Sequence, residues 1–281
     1  MLVNMSEMLH EAQKNKYAVG LFNTTDSDAL VAAIAAAEEL RSPIIIGTAE
    51  VLLPYGELQV IGPGMVNMAK NASVPVAVHY DHGLTFDRCM EALKIGFTSV
   101  MYDCSTDSYE DNIRRVKEMT EIAHSYGATI EGELGHVGDN VGSMEGDSHL
   151  EDPSKFYTDP LKAKAFVEKT GIDALAIAIG TAHGTYTCKP KLDIERLKAI
   201  RNTIDTPLVL HGGSGLSQED FKNCIENGIT KVNIFTDLYT AGKDAMLDCV
   251  GDYHDMRNEK VKAIKDAVMS KIMLFGSNGK Y

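Results

Sequence analysis

Eight short runs rich in valine, isoleucine and leucine recur along the chain, at residues 17–23, 42–49, 74–81, 98–105, 128–135, 173–180, 206–213 and 229–236. Several are almost continuously apolar, as strands are when a parallel sheet is covered on both faces. Amphipathic stretches separate most of them. DALVAAIAAAEEL (28–40) follows the first run behind an Asp26/Ser27 cap signal, and residues 108–126 carry Ile113, Val116, Met119 and Ile122 or Ala123 on one stripe. Four more segments, beginning at 86, 159, 193 and 217, also read as helices, and three of them end in glycine, which suits a helix C-cap. Eight strand–helix alternations predict one (β/α)8 TIM barrel spanning 1–281 as a single domain, with additional helices after Asp237. A doubly wound open sheet is the competing architecture.

The chain length of 281 residues fits this reading, since such barrels take about 250. With 27 Lys plus Arg against 40 Asp plus Glu, the formal charge is −13. That surface repels phosphate backbones and anionic lipids, so neither nucleic acid nor membrane is expected as a partner. A small anionic substrate would need a local positive site, from a metal ion or backbone N–H groups. Five widely spaced cysteines and the absence of C-x-x-C read as reduced thiols, and the N-terminal MLVNMSEMLHEAQKNKY lacks the pattern of a signal peptide. The expected location is cytoplasmic.

Barrel active sites form where strands end at the C-terminal face. Three of the eight runs end there in histidine beside glycine: His82 before Gly83, His183 before Gly184, and His211 before Gly212. Three imidazoles around an open position suit a catalytic zinc ion. Asp81, at the end of a buried strand, reads either as a capping or supporting carboxylate or as a general acid/base. His79 shares its strand face and reads either as a residue supporting the site or as a core residue, the latter being preferred. His10, His124 and His254 fall on helices or tails, and His136 and His149 in a polar, glycine-rich stretch at 136–158. HGGSG (211–215) and NIFT (233–236) end the seventh and eighth runs, where phosphates commonly bind in this fold; tight turns are the plainer reading.

Taken together, VPVAVHYDHG, GFTSVMYDCS, IEGELG, LAIAIGTAHGTY, PLVLHGGSGL, KVNIFTDL and MLFGSNGK resemble the class II, zinc-dependent fructose-bisphosphate aldolases, including tagatose-bisphosphate aldolases. The resemblance implies that His82, His183 and His211 bind Zn2+, with Asp103 and Glu133 as carboxylates near the metal. It implies Asp81 as the acid/base at the ketose C4 hydroxyl. It implies that Gly184, Gly212, Gly213, Ser214, Asn233, Ile234, Phe235 and Thr236 hold dihydroxyacetone phosphate, with a monovalent cation (K+ or Na+) nearby. A homodimer or homotetramer is implied, with the helix around Arg257 reaching a neighbour.

Three positions depart from the family pattern. Val141 stands where a glutamate is expected to act on the triose phosphate, which leaves Glu145 (or Asp139) as substitute. Ala49 replaces a serine near the distal phosphate, and Phe235 replaces a polar residue. The expected reaction is reversible cleavage of fructose 1,6-bisphosphate to dihydroxyacetone phosphate and glyceraldehyde 3-phosphate. A tagatose-bisphosphate or other sugar-phosphate aldolase, a zinc-dependent epimerase on the same barrel, and a non-catalytic partner subunit are the alternatives.

Overall fold

The computed structural model describes residues 1–138, 153–184, 186 and 189–281. After a two-residue strand β1 (Leu2–Val3), eight strands follow one per expected run: β2 (Val19–Asn23), β3 (Ile44–Ala49), β4 (Val76–Gly83), β5 (Ser99–Tyr102), β6 (Thr129–Leu134), β7 (Ala174–Ile177), β8 (Leu208–Leu210) and β9 (Ile229–Ile234). Each pairs in parallel with the next, and β9 returns to β2 through Val19↔Lys231 and Leu21↔Asn233. The sheet therefore closes. This is a (β/α)8 TIM barrel, and the open doubly wound sheet is excluded.

Ten α-helices accompany the strands among the described residues: α1 (Met5–Asn15), α2 (Ser27–Glu39), α3 (Leu58–Asn71), α4 (Phe86–Ile95), α5 (Tyr109–Ser125), α6 (Pro160–Thr170), α7 (Ile194–Arg201), α8 (Gln218–Glu226), α9 (Thr236–Asp248) and α10 (Tyr253–Phe275). Asp26 caps α2 as expected, accepting from the N–H groups of Asp28 and Ala29 at 2.9 Å; such a cap contributes about 1 kcal/mol. On α5 the stripe buries Val116, Met119 and Ala123. Neither α1 nor α3 is among the helices that the sequence pattern predicts. In α3, Gly62, Pro63 and Gly64 mask a helix whose Leu58, Met65, Val66 and Ala69 are nonetheless buried. In α1, Met5, Met8, Leu9 and Ala12 form an i, i+3, i+4, i+7 stripe, and this stripe packs with Val19, Leu21, Ile45, Ala77, Ala174, Ala176 and Val209. The helix thus stoppers the lower barrel with apolar groups.

Strand alternation then decides what faces the barrel axis. On β4, Ala77 belongs to that inner cluster, whereas Val78 and Tyr80 pack outward beneath the helices. His79 and Asp81 consequently point inward. The same two-residue period sends Glu131 and Glu133 of β6, and Lys231 and Asn233 of β9, toward the axis. All six are 7 % exposed or less. The lower barrel is apolar and the upper barrel is polar, which places the site at the C-terminal mouth.

Candidate metal centre and phosphate pocket

Plain alternation would put His82 on the opposite face from Asp81. The chain avoids this with an irregularity. The β4–β5 register shifts between Tyr80 and Gly83, and His82 takes a left-handed φ of 39°. A bulge of this kind re-aims a side chain, and a positive φ at a residue with a Cβ is strained. Both consecutive side chains thereby reach the mouth.

There the three histidines meet. The ring centroids of His82 lie 4.9 Å from His183 and 4.5 Å from His211, and one nitrogen from each ring falls within a common 4.8 Å span. Carboxylates fix which nitrogen faces inward. His82 Nδ1 donates to Asp103 Oδ2 at 2.8 Å, and His211 Nε2 donates to Glu131 Oε1 at 2.8 Å. The opposite atoms, His82 Nε2 and His211 Nδ1, are buried and have no hydrogen-bond partner among the described residues. Buried polar atoms are rarely left so, and an imidazole that donates one N–H to a carboxylate while its other lone pair faces a common point is the usual preparation for a metal ligand. The donor set therefore fits a dication such as zinc.

Asp103 also accepts from the N–H of Ser105 at 3.0 Å. Glu133 lies beside the imidazoles, with Oε2 3.4 Å from His211 Nδ1 and Oε1 accepting from the N–H of Val137. Burial and the neighbouring Asp103 charge push its carboxyl up to about 8. Burial works the other way on His211, which it lowers to about 4 with help from His82.

Asp81 is 1 % exposed. Its Oδ2 accepts from Asn23 Nδ2 at 2.8 Å, and Asn233 Nδ2 spans both oxygens at 3.0 and 3.1 Å. Burial alone would raise its carboxyl; His82, His79, Lys231 and His211 outweigh burial and hold it well below the usual carboxylate range. His79 does fill the barrel interior as expected, with Nδ1 against Ser99 Oγ at 2.7 Å, yet its Nε2 also comes within 3.5 Å of Asp81.

Sequence reasoning missed Asn23, Glu131 and Lys231. Lys231 is fully buried and pairs with Glu131 Oε2 at 2.8 Å. Burial would raise Glu131, but the Lys231 cation together with His211 and His79 outweighs it and draws the carboxyl down to about 2. The signal was present. His79/Asp81, Glu131/Glu133 and Lys231/Asn233 are three polar pairs at i, i+2 within otherwise apolar strands, which marks one polar face.

Beside the histidines, the strand-end loops form a cavity of about 390 Å³ lined by Gly184, Ser214, Gly215, Thr236, Asp237 and Thr240 among others. Gly212 has a φ of +63°, and a Cβ there would meet the Ala182 carbonyl oxygen at 2.5 Å, so the turns after β7 and β8 approach closely only because it is glycine. Tyr186 joins the same two turns, accepting from the Ala182 N–H at 2.8 Å and donating to the Gly212 carbonyl at 2.9 Å. Ser214 Oγ accepts from the N–H groups of Phe235 and Asp237, and α9 begins at Thr236, directing its N-terminal end at the cavity.

Of the residues expected at a phosphate, Gly184, Ser214 and Thr236 line the cavity. Asn233 instead turns its amide to Asp81, the Ile234 side chain packs in the outer core, and Phe235 packs with Ala49 and Leu52 in a small apolar cluster. Glu145, Asp139, Val141 and His149 lie outside the described residues. Arg257 contacts Asp28 of its own chain, Nε to Oδ1 at 2.9 Å.

The family profile described as "Fructose-bisphosphate aldolase class-II" matches residues 3–280. The chain is 39 % identical over 281 residues to the uncharacterized protein YdjI of Escherichia coli K12, covering all of this chain and 99 % of that protein. It is 38 % identical over 292 residues to a fructose-bisphosphate aldolase of Geobacillus stearothermophilus, covering 99 % and 98 % of the two chains. Among solved structures, the YdjI aldolase superposes with a TM-score of 0.89 at 37 % identity over 100 % of this chain and 99 % of that one. A fructose-1,6-bisphosphate aldolase from Coccidioides immitis, described as putative, superposes at 0.88 and 28 % identity over 99 % and 98 %.

Proposed function

From the premise that the chain belongs to the class II fructose-bisphosphate aldolase family and is a lyase, we propose that it reversibly cleaves a ketose phosphate to dihydroxyacetone phosphate and an aldehyde, with one Zn2+ held by His82, His183 and His211. The observation that carries this reading is the convergence of three imidazoles, two with their tautomers set by Asp103 and Glu131, beside a buried carboxylate that lies outside the His82–His183–His211 set. Zinc, when bound, supplies Lewis-acid polarisation of the substrate carbonyl.

The protein's own residues do the rest. Backbone N–H groups at 212–214 and the start of α9 grip the phosphate, and binding that remote group orients the reacting carbons. Asp81, held ionised by its amide donors and cationic neighbours, takes the proton from the C4 hydroxyl as the C3–C4 bond breaks and the aldehyde forms. In the condensation direction it returns that proton to the aldehyde oxygen. Glu145 is our assignment for proton transfer on the triose-phosphate carbon, since valine at 141 cannot move a proton. Glu133 lies close enough to the imidazoles to feel the metal charge, and a K+ or Na+ ion completes the phosphate site.

Fructose 1,6-bisphosphate is the first substrate and tagatose 1,6-bisphosphate the second. The packing of Phe235 on Ala49 and Leu52 favours giving other ketose phosphates a place as well, because apolar side chains stand there in place of the polar residues expected near a distal phosphate. We read residues 1–281 as one domain acting in the cytoplasm as a homodimer or homotetramer. Measuring dihydroxyacetone phosphate release from a panel of ketose phosphates tests the reading. Cleavage of at least one, abolished by Asp81→Ala with zinc retained, is expected. No release from any of them by the zinc-loaded protein would overturn the aldolase assignment.

A further inference from the structure

The structure assigns to Lys231 the role of a positioning residue that sets the orientation of Asn233 and, through it, of Asp81. The inference rests on the proposed aldolase reading, in which Asp81 moves the C4 hydroxyl proton.

A primary amide has a donating end and an accepting end, and nothing in its shape distinguishes them. Asn233 is buried between two groups that do. On one side Lys231 Nζ lies 2.8 Å from its Oδ1. An ammonium group only donates, so the carbonyl end must face it. On the other side the Nδ2 end spans the two oxygens of Asp81 at 3.0 and 3.1 Å, where an ionised carboxylate only accepts. One orientation satisfies both contacts. The flipped one sets N–H against ammonium and carbonyl against carboxylate.

Lys231 is itself immobilised. It is fully buried, sits two residues before Asn233 on the inward face of β9, and donates to Glu131 Oε2 at 2.8 Å. The other oxygen of Glu131 accepts from His211. A continuous chain thus runs from His211 through Glu131, Lys231 and Asn233 to Asp81. It ties the carboxylate to the same rigid strands that carry a proposed metal ligand. Without Lys231 no hydrogen bond among the described residues holds the Oδ1 end, so the amide can rotate about its side chain and withdraw the two N–H contacts that fix the Asp81 carboxylate toward the substrate hydroxyl.

The test compares wild type, Lys231→Met, and the double variant Lys231→Met/Glu131→Gln, which removes the buried charges together so that neither is left unpaired. In the double variant a glutamine carbonyl still accepts from His211. Four quantities are read: zinc content, thermal midpoint, kcat and KM for ketose phosphate cleavage, and solvent hydrogen exchange into dihydroxyacetone phosphate alone. The last is a half-reaction that does not use Asp81. For Lys231→Met the expected result is zinc and hydrogen exchange retained within about twofold, KM little changed, and kcat for cleavage lowered about 100-fold, the scale of a misplaced catalytic group. In the double variant, which also changes the acceptor of His211, cleavage per bound zinc is expected to fall about 100-fold further than hydrogen exchange.

Equal losses in cleavage and exchange, or cleavage within twofold of wild type, would overturn the inference. Should Lys231→Met fail to fold, the double variant carries the test; if that also fails to fold, Lys231 is structural and the inference falls. A zinc-loaded wild type that cleaves no ketose phosphate sinks the aldolase reading itself and is a separate outcome.

Discussion

Replacing Asp103 with alanine should weaken zinc binding while leaving the three imidazoles in place. Asp103 Oδ2 accepts the Nδ1 proton of His82 at 2.8 Å, and His82 is only 4 % exposed. The carboxylate therefore selects the tautomer that leaves Nε2 free to coordinate and raises the basicity of the ring. Without it, the Nδ1 proton has no acceptor among the described residues, and the strained backbone at His82 loses a restraint on its ring. Carboxylates that orient a metal-bound imidazole typically contribute about 10- to 100-fold in metal affinity. That corresponds to about 1.4–2.7 kcal/mol in zinc binding. Competition titration of the metal-free protein against a chromophoric chelator reads this directly. Asp103→Asn should lose less than Asp103→Ala, because its amide oxygen still accepts. A zinc affinity for Asp103→Ala within twofold of wild type would refute the tautomer argument. Abolished binding would instead make Asp103 a ligand.

Other expectations are simpler to state. Tyr186→Phe removes two part-buried hydrogen bonds between the turns after β7 and β8, a loss of about 2 kcal/mol. A thermal midpoint lowered by about 4 °C is expected by calorimetry, and an unchanged midpoint would mean those turns hold together without it. Zinc binding at pH 7 should release one to two protons. Asp81 and Asp103 outweigh burial to raise His82 to about 10 in the metal-free protein, burial raises Glu133 to about 8, and both must deprotonate beside a dication. Calorimetric titration in buffers of different ionisation enthalpy counts these protons, and buffer-independent heats would contradict the scheme. His183→Ala should lose stoichiometric zinc yet keep its far-ultraviolet circular dichroism, because the apolar clusters inside and outside the barrel hold the strands without the metal. Collapse of the spectrum would show that the site is needed for folding.

The barrel was legible because its strands are buried on both faces, which concentrates valine and isoleucine into runs that nothing else in the chain imitates. α3 was not, because Gly62, Pro63 and Gly64 are breakers in isolation and only packing of Leu58 and Met65 overrides them. The histidines were legible from their common place at strand ends. How His82 and Asp81 reach one site, which the family resemblance implies, was not legible, because alternation separates neighbours and the bulge that reunites them has no sequence mark. Nor was the split among 233–236. Asn233 and Thr236 both read as phosphate ligands, yet the strand period turns the Asn233 side chain to Asp81 and leaves Thr236 at the cavity. Glu131 and Lys231 were overlooked one at a time, since a single charge in a strand reads as noise. Their meaning is visible only when β6 and β9 are brought across the barrel and the two charges meet at 2.8 Å.

The central claim is that a zinc ion at His82, His183 and His211 is required for carbon–carbon cleavage. Metal-depleted protein, titrated with zinc while dihydroxyacetone phosphate release from the best ketose phosphate is followed, tests it most directly. The account predicts no cleavage without metal and a rate that rises linearly to a plateau at one zinc per chain. Undiminished cleavage by the metal-depleted protein would contradict it.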